Sequence, residues 1–187
     1  MEKKRIYPNK WQSVPFSFDL LNQVENRDKA VKELILKSEA ATELHVSDMM
    51  LNITQFSAFD AAGNEHTVAD FPGQSAVTLR GISSGQFLRS KNVVSLPEGT
   101  YTKLRFYLAN EGNQFRYWDG VQESADHFGR LDFIIENGLQ IEGNEGPEVK
   151  LWFDFVPYKW SSHFKPFLDL FKGNKTPRPR LANSFGN

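Results

Sequence analysis

The chain has no cysteine among its 187 residues. Without a thiol it can form no disulfide, no thiolate zinc site and no cysteine nucleophile, and it offers no cysteine for a lipid anchor. It also has no run of about 20 consecutive apolar residues, the length that crosses a bilayer as a helix. Walker-type and dinucleotide-binding glycine patterns are missing as well. We therefore expect no cofactor and no transmembrane segment.

A strong excess of charge of either sign is missing too. The formal net charge is −1 and the pI is near 6.4, so no overall field attracts nucleic acid, and we expect no nucleic-acid partner. Positive charge gathers at the two ends of the chain, where it forms either a joint phosphate-binding patch or two solvated tails. These basic residues are Lys3, Lys4, Arg5, Lys10, Lys172, Lys175, Arg178 and Arg180.

The first residues lack the pattern of a secretory signal. Lys3, Lys4 and Arg5 resemble the charged start of a signal peptide, but Tyr7 and Pro8 stand where its apolar stretch would be. We expect a cytoplasmic protein, or an extracellular or cell-surface protein if a leader was removed.

What is present is the pattern of a β-protein, with 40% hydrophobic residues and 16 Phe to fill a core. A turn at Pro97 and Gly99 leads into residues 100–110, where apolar and amphipathic side chains alternate as in a half-buried strand. Similar short segments, separated by turn residues, recur along the chain, and Asn137-Gly138 is the strongest hairpin signal. This organisation predicts a mainly β fold, an antiparallel Greek-key sandwich of transthyretin-like or immunoglobulin-like type.

The predicted strands form one domain between two polar ends. We divide the chain into an N-terminal extension (1–13), a single β-sandwich domain (14–171) and a basic, proline-containing C-terminal tail (172–187). The two-residue alternation of apolar positions is broken between Ile53 and Phe56, which predicts a bulge or bend. Residues 60–64 predict a hairpin. The predicted strands are 14–21, 43–59, 65–68, 76–79, 86–89, 93–96, 100–110, 115–118, 131–135, 139–141, 149–155 and 164–171.

Residues 26–40 allow two interpretations. Val31, Leu34 and Ile35 fall at helical spacing and Asn26 can cap, which predicts one short helix near the N-terminus. The alternative is a strand over residues 34–36, because a short apolar run does not fix the period.

Four segments together resemble a known family. They are LNITQFSAF (51–59) ahead of the Gly63 turn, LPEGTYTKLR (96–105), VKLWFDF (149–155) and FKPFLDL (164–170). They are similar to segments of uncharacterised bacterial cell-surface lipoprotein domains. The resemblance implies a transthyretin-like Greek-key sandwich at the cell surface, and it brings no known catalytic residue or ligand.

The four histidines show no metal-ligand spacing. His45, His66, His127 and His163 are scattered, so we predict isolated surface histidines and no metal site, with a tertiary pair of His66 and His127 left open.

Carboxylates crowd one region of the sequence and could form a glycosidase pair or a calcium site. We favour solvated hairpin charge and predict no catalytic residue; for Asp154 we expect exposure or a partner such as Arg105 or Lys165. The acidic residues are Asp132, Glu136, Glu142, Glu145, Glu148 and Asp154.

The most suggestive site is the aromatic segment 115–120. Tyr117 and Trp118 are adjacent, so at least one ring should lie away from the main core, where it can stack on a sugar or anchor a protein partner. The alternative is that Trp118 covers an open end of the sandwich. Trp160, in a predicted loop, raises the same question.

These patterns favour a non-enzymatic β-sandwich module for binding or assembly. We expect cell-surface adhesion, or interaction with a protein or glycan, through Tyr117, Trp118 and Trp160, with homo-oligomerisation left open. Two alternatives remain: a carbohydrate-active hydrolase using the acidic cluster near Asp132 and Asp154, and a structural subunit of a virion or fibre.

Overall fold

A computed structural model of the chain describes residues 10–19, 31–91, 94–143 and 146–159. Helix α1 spans Glu39–Glu43, a 3-10 helix spans Ile82–Ser84, and residues 16–19 form a helical turn. The fold is mainly β, as the sequence predicts. The strands are β1 (Trp11–Pro15), β2 (Val31–Lys37), β3 (Val46–Asp60), β4 (Glu65–Thr67), β5 (Gln74–Arg80), β6 (Gln86–Ser90), β7 (Gly99–Leu108), β8 (Gln114–Tyr117), β9 (Gln122–Ser124), β10 (Arg130–Ile141) and β11 (Glu148–Phe153).

These strands form one curled, mixed sheet, which does not closely match the expected Greek-key sandwich. The order is β1-β6-β11-β2-β10-β7-β3-β8-β9, with β4 and β5 attached to β3. Most neighbours are antiparallel, but β11 runs parallel to β2 over six residue pairs, from Glu148 with Val31 to Phe153 with Leu36. This long-range parallel pairing places β11 between β2 and β6 in the same sheet.

Strand β3 is the branch point of the sheet. On one edge it pairs with β5 through its first half and with β4 through its second; on the other edge it pairs with β8 and then with β7. The change of partner coincides with a register shift between Ile53 and Gln55. The predicted bulge between Ile53 and Phe56 is thereby confirmed, as is the hairpin at 60–64 that joins β3 to β4.

The core is a chain of aromatic rings inside the curled sheet. The centroid of Phe56 lies 5.3 Å from those of Trp11 and Phe106, and Phe133 lies 5.5 Å from Phe106 and 5.3 Å from Phe153. Burying one such side chain contributes about 1.5 to 3 kcal/mol. Trp11 is 4% exposed, so the sheet begins within the stretch that the sequence marks as an N-terminal extension.

The helix expected within residues 26–40 is wrong for residues 31–37, whereas residues 39 and 40 are helical and begin α1. Residues 31–37 form β2, as the alternative predicts, and residues 26–30 lie outside the described residues. Leu34 and Leu36 point into the core while Ile35 is exposed, which is the two-residue period of a strand. Strand β2 lies between β10 and β11, so its backbone forms hydrogen bonds along both edges. The stability gained from these hydrogen bonds outweighs the weak helical preference of a few apolar residues.

Asn137-Gly138 does not close a hairpin. Both residues have positive φ (65° and 71°), as a hairpin turn requires, but they lie inside the continuous strand β10. The register to β7 jumps from Ile134 with Lys103 to Leu139 with Tyr101, so the chain bulges out and then resumes pairing with the same neighbour. Asn137 and Gly138, both in the left-handed conformation, therefore form a bulge within β10 and not a hairpin turn.

Two further predicted strands differ from the structure, and a third lies outside the described residues. The predicted first strand ends at Pro15, because residues 16–19 turn helically. Of the predicted strand 93–96, residues 94–96 are not a strand and residue 93 lies outside the described residues. Val94 is nevertheless buried and donates its N–H to Pro147 O at 3.0 Å. The predicted strand 164–171 lies outside the described residues.

A buried network of ion pairs ties the helical turn at 16–19 to the sheet. Lys150 and Asp19, 3% and 2% exposed, form an ion pair, and Lys150 Nζ also lies 3.2 Å from Glu33 Oε1. Arg89 donates to Glu148 Oε2 from Nε at 3.0 Å and to Asp19 Oδ1 from Nη1 at 3.3 Å. Each buried charge has a partner of opposite sign, which is the condition for keeping charges away from water.

We predict that Lys150→Met lowers the free energy of unfolding by about 3 to 5 kcal/mol, because it leaves Asp19 buried with a weaker partner. Urea unfolding followed by circular dichroism measures the change. The matched control is Lys37→Met, whose ammonium pairs with Glu136 at 3.2 Å but is 51% exposed, and we expect a loss of about 0 to 1 kcal/mol there. Equal losses for the two variants would contradict the assignment.

We also predict that Gly138→Ala destabilises the protein by about 1 to 2 kcal/mol, because an alanine at φ +71° is strained. The control is Gly129→Ala, where φ is not in the positive range and no atom lies within 4 Å of the added Cβ. Thermal unfolding compares the two. Equal midpoints would show that the bulge in β10 does not require the left-handed conformation.

Candidate functional site

A cleft of about 800 Å³ lies where the first half of β3 meets β5, β8 and β9, a volume within the range of small-molecule sites. The strands contribute Ser47, Asp48, Arg80, Arg116 and Gln122. A second wall is formed by Gly81 and the 3-10 helix. A third wall is formed by Gly120 and residues 156–158. The cleft thus rests on hydrogen-bonded strands, which hold side chains more rigidly than loops do.

A row of charges crosses the cleft from strand to strand. Asp48 on β3 stands opposite Arg80 on β5 and opposite Arg116 on β8. Arg116 Nη1 lies 3.4 Å from Asp48 Oδ2. With its amide oriented so that the oxygen faces Arg116, Gln122 accepts hydrogen bonds from Nη2 and Nε at 2.5 and 2.7 Å. The Arg116 guanidinium is therefore fixed from two sides.

Burial makes the charge of Asp48 costly. Desolvation raises the pKa of its carboxyl above the ordinary value, and the positive charges of Arg116 and Arg80 offset only part of that rise. The carboxylate would gain from further hydrogen-bond donors, such as hydroxyl groups of a ligand.

The hydroxyl of Ser47 is left without a partner. Ser47 is 6% exposed, and within the described parts of the chain its Oγ has no hydrogen bond. Leaving such a buried group unsatisfied costs about 1 to 3 kcal/mol. Adjacent strand residues normally face opposite sides, but the β3–β8 register shifts between Val46 and Asp48, and both Ser47 and Asp48 line the cleft.

The aromatic turn after β8 borders the cleft. Gly120 has φ +88°, and the hydroxyl of Tyr158 lies 3.0 Å from the point where a Cβ would stand, so only glycine allows this close approach. Lys159 donates its N–H to Trp118 O at 3.0 Å, and its Nζ lies 4.7 Å from the centre of the Trp118 ring. These contacts join the segment 156–159 to the turn that carries Trp118.

The structure separates the three aromatic residues expected to bind a ligand. Tyr117 is a core residue, 0% exposed, and donates its hydroxyl to Glu123 Oε2 at 3.1 Å, so its ring is not available at the surface. Trp118 is half-buried and is not one of the core residues, which agrees with the expectation that at least one of the two rings lies away from the core. Trp160 lies outside the described residues.

Asp132, in the acidic cluster, is held by cations. It accepts from Arg105 Nε and Nη2 at 2.6 and 2.7 Å, and Lys103 Nζ lies 3.2 Å away. Burial raises the pKa of Asp132, but these hydrogen bonds and charges outweigh it and hold the pKa below its ordinary value. A carboxyl of this kind is ionised at neutral pH, whereas a general acid needs a raised pKa.

The other acidic residue singled out from the sequence, Asp154, is exposed, which is one of the two expectations stated for it. Its Oδ2 lies 4.0 Å from Lys37 Nζ. Of the two partners that the sequence suggests for it, Arg105 binds Asp132 and Lys165 lies outside the described residues. Neither Asp132 nor Asp154 lines the cleft.

The described histidines do not converge. His66 Nε2 lies 3.0 Å from Asp60 Oδ2, and this hydrogen bond, with those from Asn64 and Ala62, keeps the pKa of Asp60 well below its usual range. The ring of His127 stacks on Phe128 at 4.4 Å. Across the described residues no group of three His, Asp or Glu side chains could hold a metal ion.

None of the helices in the described ranges has the length and apolar character needed to span a membrane.

Sequence reasoning missed the charged row and Ser47. Asp48, Arg80 and Arg116 come from three strands far apart in the chain, and no local motif connects them. Comparison with family models, with curated proteins and with solved structures gives no match for this chain. A functional proposal for the protein therefore rests on the geometry of the cleft.

The ion pairs of Asp132 lead to a pH-dependent prediction. Because its pKa is lower in the folded than in the unfolded state, its stabilisation is complete above the ordinary value of 3.8 and is lost as the pH falls below it. Asp132→Asn should lower the free energy of unfolding by at most about 1 kcal/mol at neutral pH, since the side chain is 37% exposed.

In urea titrations, the difference between wild type and Asp132→Asn should be constant above the ordinary pKa of 3.8 and should shrink toward zero as the pH falls below it. Asp154→Asn, at a carboxylate that is 51% exposed, is the control and should change stability little at any pH. A difference for Asp132→Asn that grows on acidification would contradict a lowered pKa for this carboxyl.

Proposed function

We propose that this protein is a non-enzymatic binding module whose ligand site is the cleft together with the adjoining Trp118 turn. It serves cell-surface adhesion or interaction with a protein or glycan. The observation that carries the proposal is the pairing of a polar cleft on rigid strands with a half-buried indole, Trp118, two residues before Gly120 of the cleft wall.

The chemistry of the cleft supports binding. It offers two guanidinium groups, a carboxylate whose charge is costly to bury, and a buried hydroxyl without a partner. Each of these groups gains from contact with a polar ligand. Trp118 and Tyr158 add aromatic surface, which contributes much of the binding energy in many recognition sites.

The proposed location follows from the resemblance to bacterial cell-surface lipoprotein domains. Of the four segments that carry it, 51–59 lie in β3, 96–105 lead into β7 and 149–155 contain most of β11. A gene start upstream, with a leader and a lipid-attachment cysteine, would support the cell surface as the site of action.

We predict that Trp118→Ala weakens binding to any glycan or protein ligand by about tenfold or more, because it removes the exposed part of the aromatic surface beside the cleft. A glycan array, followed by titration of each retained glycan, measures the effect. The control is Phe18→Ala, which removes an exposed ring (62%) that does not line the cleft, and it should leave affinity unchanged.

Three results would overturn the proposal. One is binding that survives in Trp118→Ala and is lost in Phe18→Ala; another is binding that neither variant affects. The third is hydrolysis of a retained glycan by the purified protein, which would replace a binding module by an enzyme.

A further inference from the structure

We propose that the cleft binds a saccharide that carries a carboxylate, with that carboxylate held between Arg80 and Arg116. This inference rests on the proposed binding function and names the ligand class of the same site.

The charge of the cleft favours an anion. Among its lining residues Arg80 and Arg116 are positive and Asp48 is negative, so two positive charges and one negative leave an excess of one positive. Asp48 stands between the two arginines and contacts Arg116 at 3.4 Å, but one carboxylate cannot neutralise two guanidinium groups. A ligand carboxylate would supply the missing charge and accept paired hydrogen bonds from a guanidinium fork.

The remaining groups favour a ligand rich in hydroxyls. Ser47 Oγ is buried and has no hydrogen-bond partner among the described residues, and Ser83 and Ser84 line the opposite wall. Asp48 can accept hydrogen bonds from ligand hydroxyls, which are donors that a simple inorganic anion lacks. Tyr158, held against Gly120, offers a ring on which a sugar can pack. An acidic peptide carries few hydroxyl groups to donate to Asp48 and Ser47, so we favour the saccharide.

A neighbouring cavity lies on the other side of the two arginines. A smaller cavity of about 180 Å³ shares Asp48, Arg80, Arg116 and Gln122 with the larger one. The row of charges therefore stands between two hollows. A saccharide of more than one unit can extend on both sides of the residue whose carboxylate is bound.

The test is a calorimetric titration with oligosaccharides of uronic-acid and sialic-acid type, each paired with its neutral form made by carboxyl reduction. We expect at least one acidic oligosaccharide to bind about tenfold or more tightly than its neutral counterpart, and this ratio should fall as salt is raised. Arg80→Gln and Arg116→Gln should each remove most of the preference. Arg130→Gln, which deletes an exposed positive charge outside the cleft, is the matched control and should keep it.

The Ser47→Ala variant distinguishes an effect on ligand affinity from an effect on stability. Because it removes a buried hydroxyl without a partner, the variant should unfold at the same temperature as wild type or higher, yet bind the acidic oligosaccharide several-fold more weakly. Unchanged affinity in a folded Ser47→Ala protein would overturn the assignment of Ser47 to the site.

The outcomes distinguish this inference from the proposed function. If acidic and neutral forms bind equally and both are lost in Trp118→Ala, the binding module stands and the carboxylate inference falls. If acidic peptides bind through Arg80 and Arg116 and no saccharide does, the ligand class is wrong. If none of the saccharides binds, the inference falls, whereas the proposed function is overturned only by its own Trp118 and Phe18 comparison or by hydrolysis of a retained glycan.

Discussion

The structure depends on the pairing of strand β3 with four other strands. Its second half, between β4 and β7, belongs to the body of the sheet, and its first half, between β5 and β8, carries the cleft. A strand has only two edges, so this arrangement requires each edge to change partners part of the way along. The register shift between Ile53 and Gln55 lies at that change on the β7–β8 edge. The position of the cleft relative to the aromatic core is therefore set by the backbone of one strand.

The same strand separates the core from the cleft. Met49, Leu51 and Ile53 alternate into the core, whereas Asp48, on the opposite face, stands in the row of charges. Ser47 departs from this alternation at a register shift and lines the cleft while remaining buried. Hydrophobic burial below the strand stabilises the fold. The fold can therefore retain a hydroxyl that has no partner in the described part of the chain, and a carboxylate of raised pKa.

Short-range features were predictable from the sequence and long-range ones were not. The bulge in β3 and the hairpin at 60–64 follow from neighbouring residues, and adjacent aromatic rings predicted that either Tyr117 or Trp118 would leave the core. The parallel pairing of β11 with β2 depends on residues more than a hundred positions apart. Asn137-Gly138 shows the limit of a local signal, since a left-handed pair suits a hairpin and a bulge equally well. Arg80 and Arg116 could not be related to Asp48 before the strand pairing was known.

The central claim is that a ligand enters the cleft and meets both arginines, and nuclear magnetic resonance of the arginine side chains tests it most directly. During titration with a carboxylate-bearing oligosaccharide, we expect the Nε–Hε signals of Arg80 and Arg116 to shift together, along with the backbone amides of Ser47 and Gly120. The signal of Arg105, which is bound to Asp132 outside the cleft, should stay in place. Saturable shifts confined to residues elsewhere on the sheet, with Arg80 and Arg116 unchanged, would show that the ligand binds at another surface.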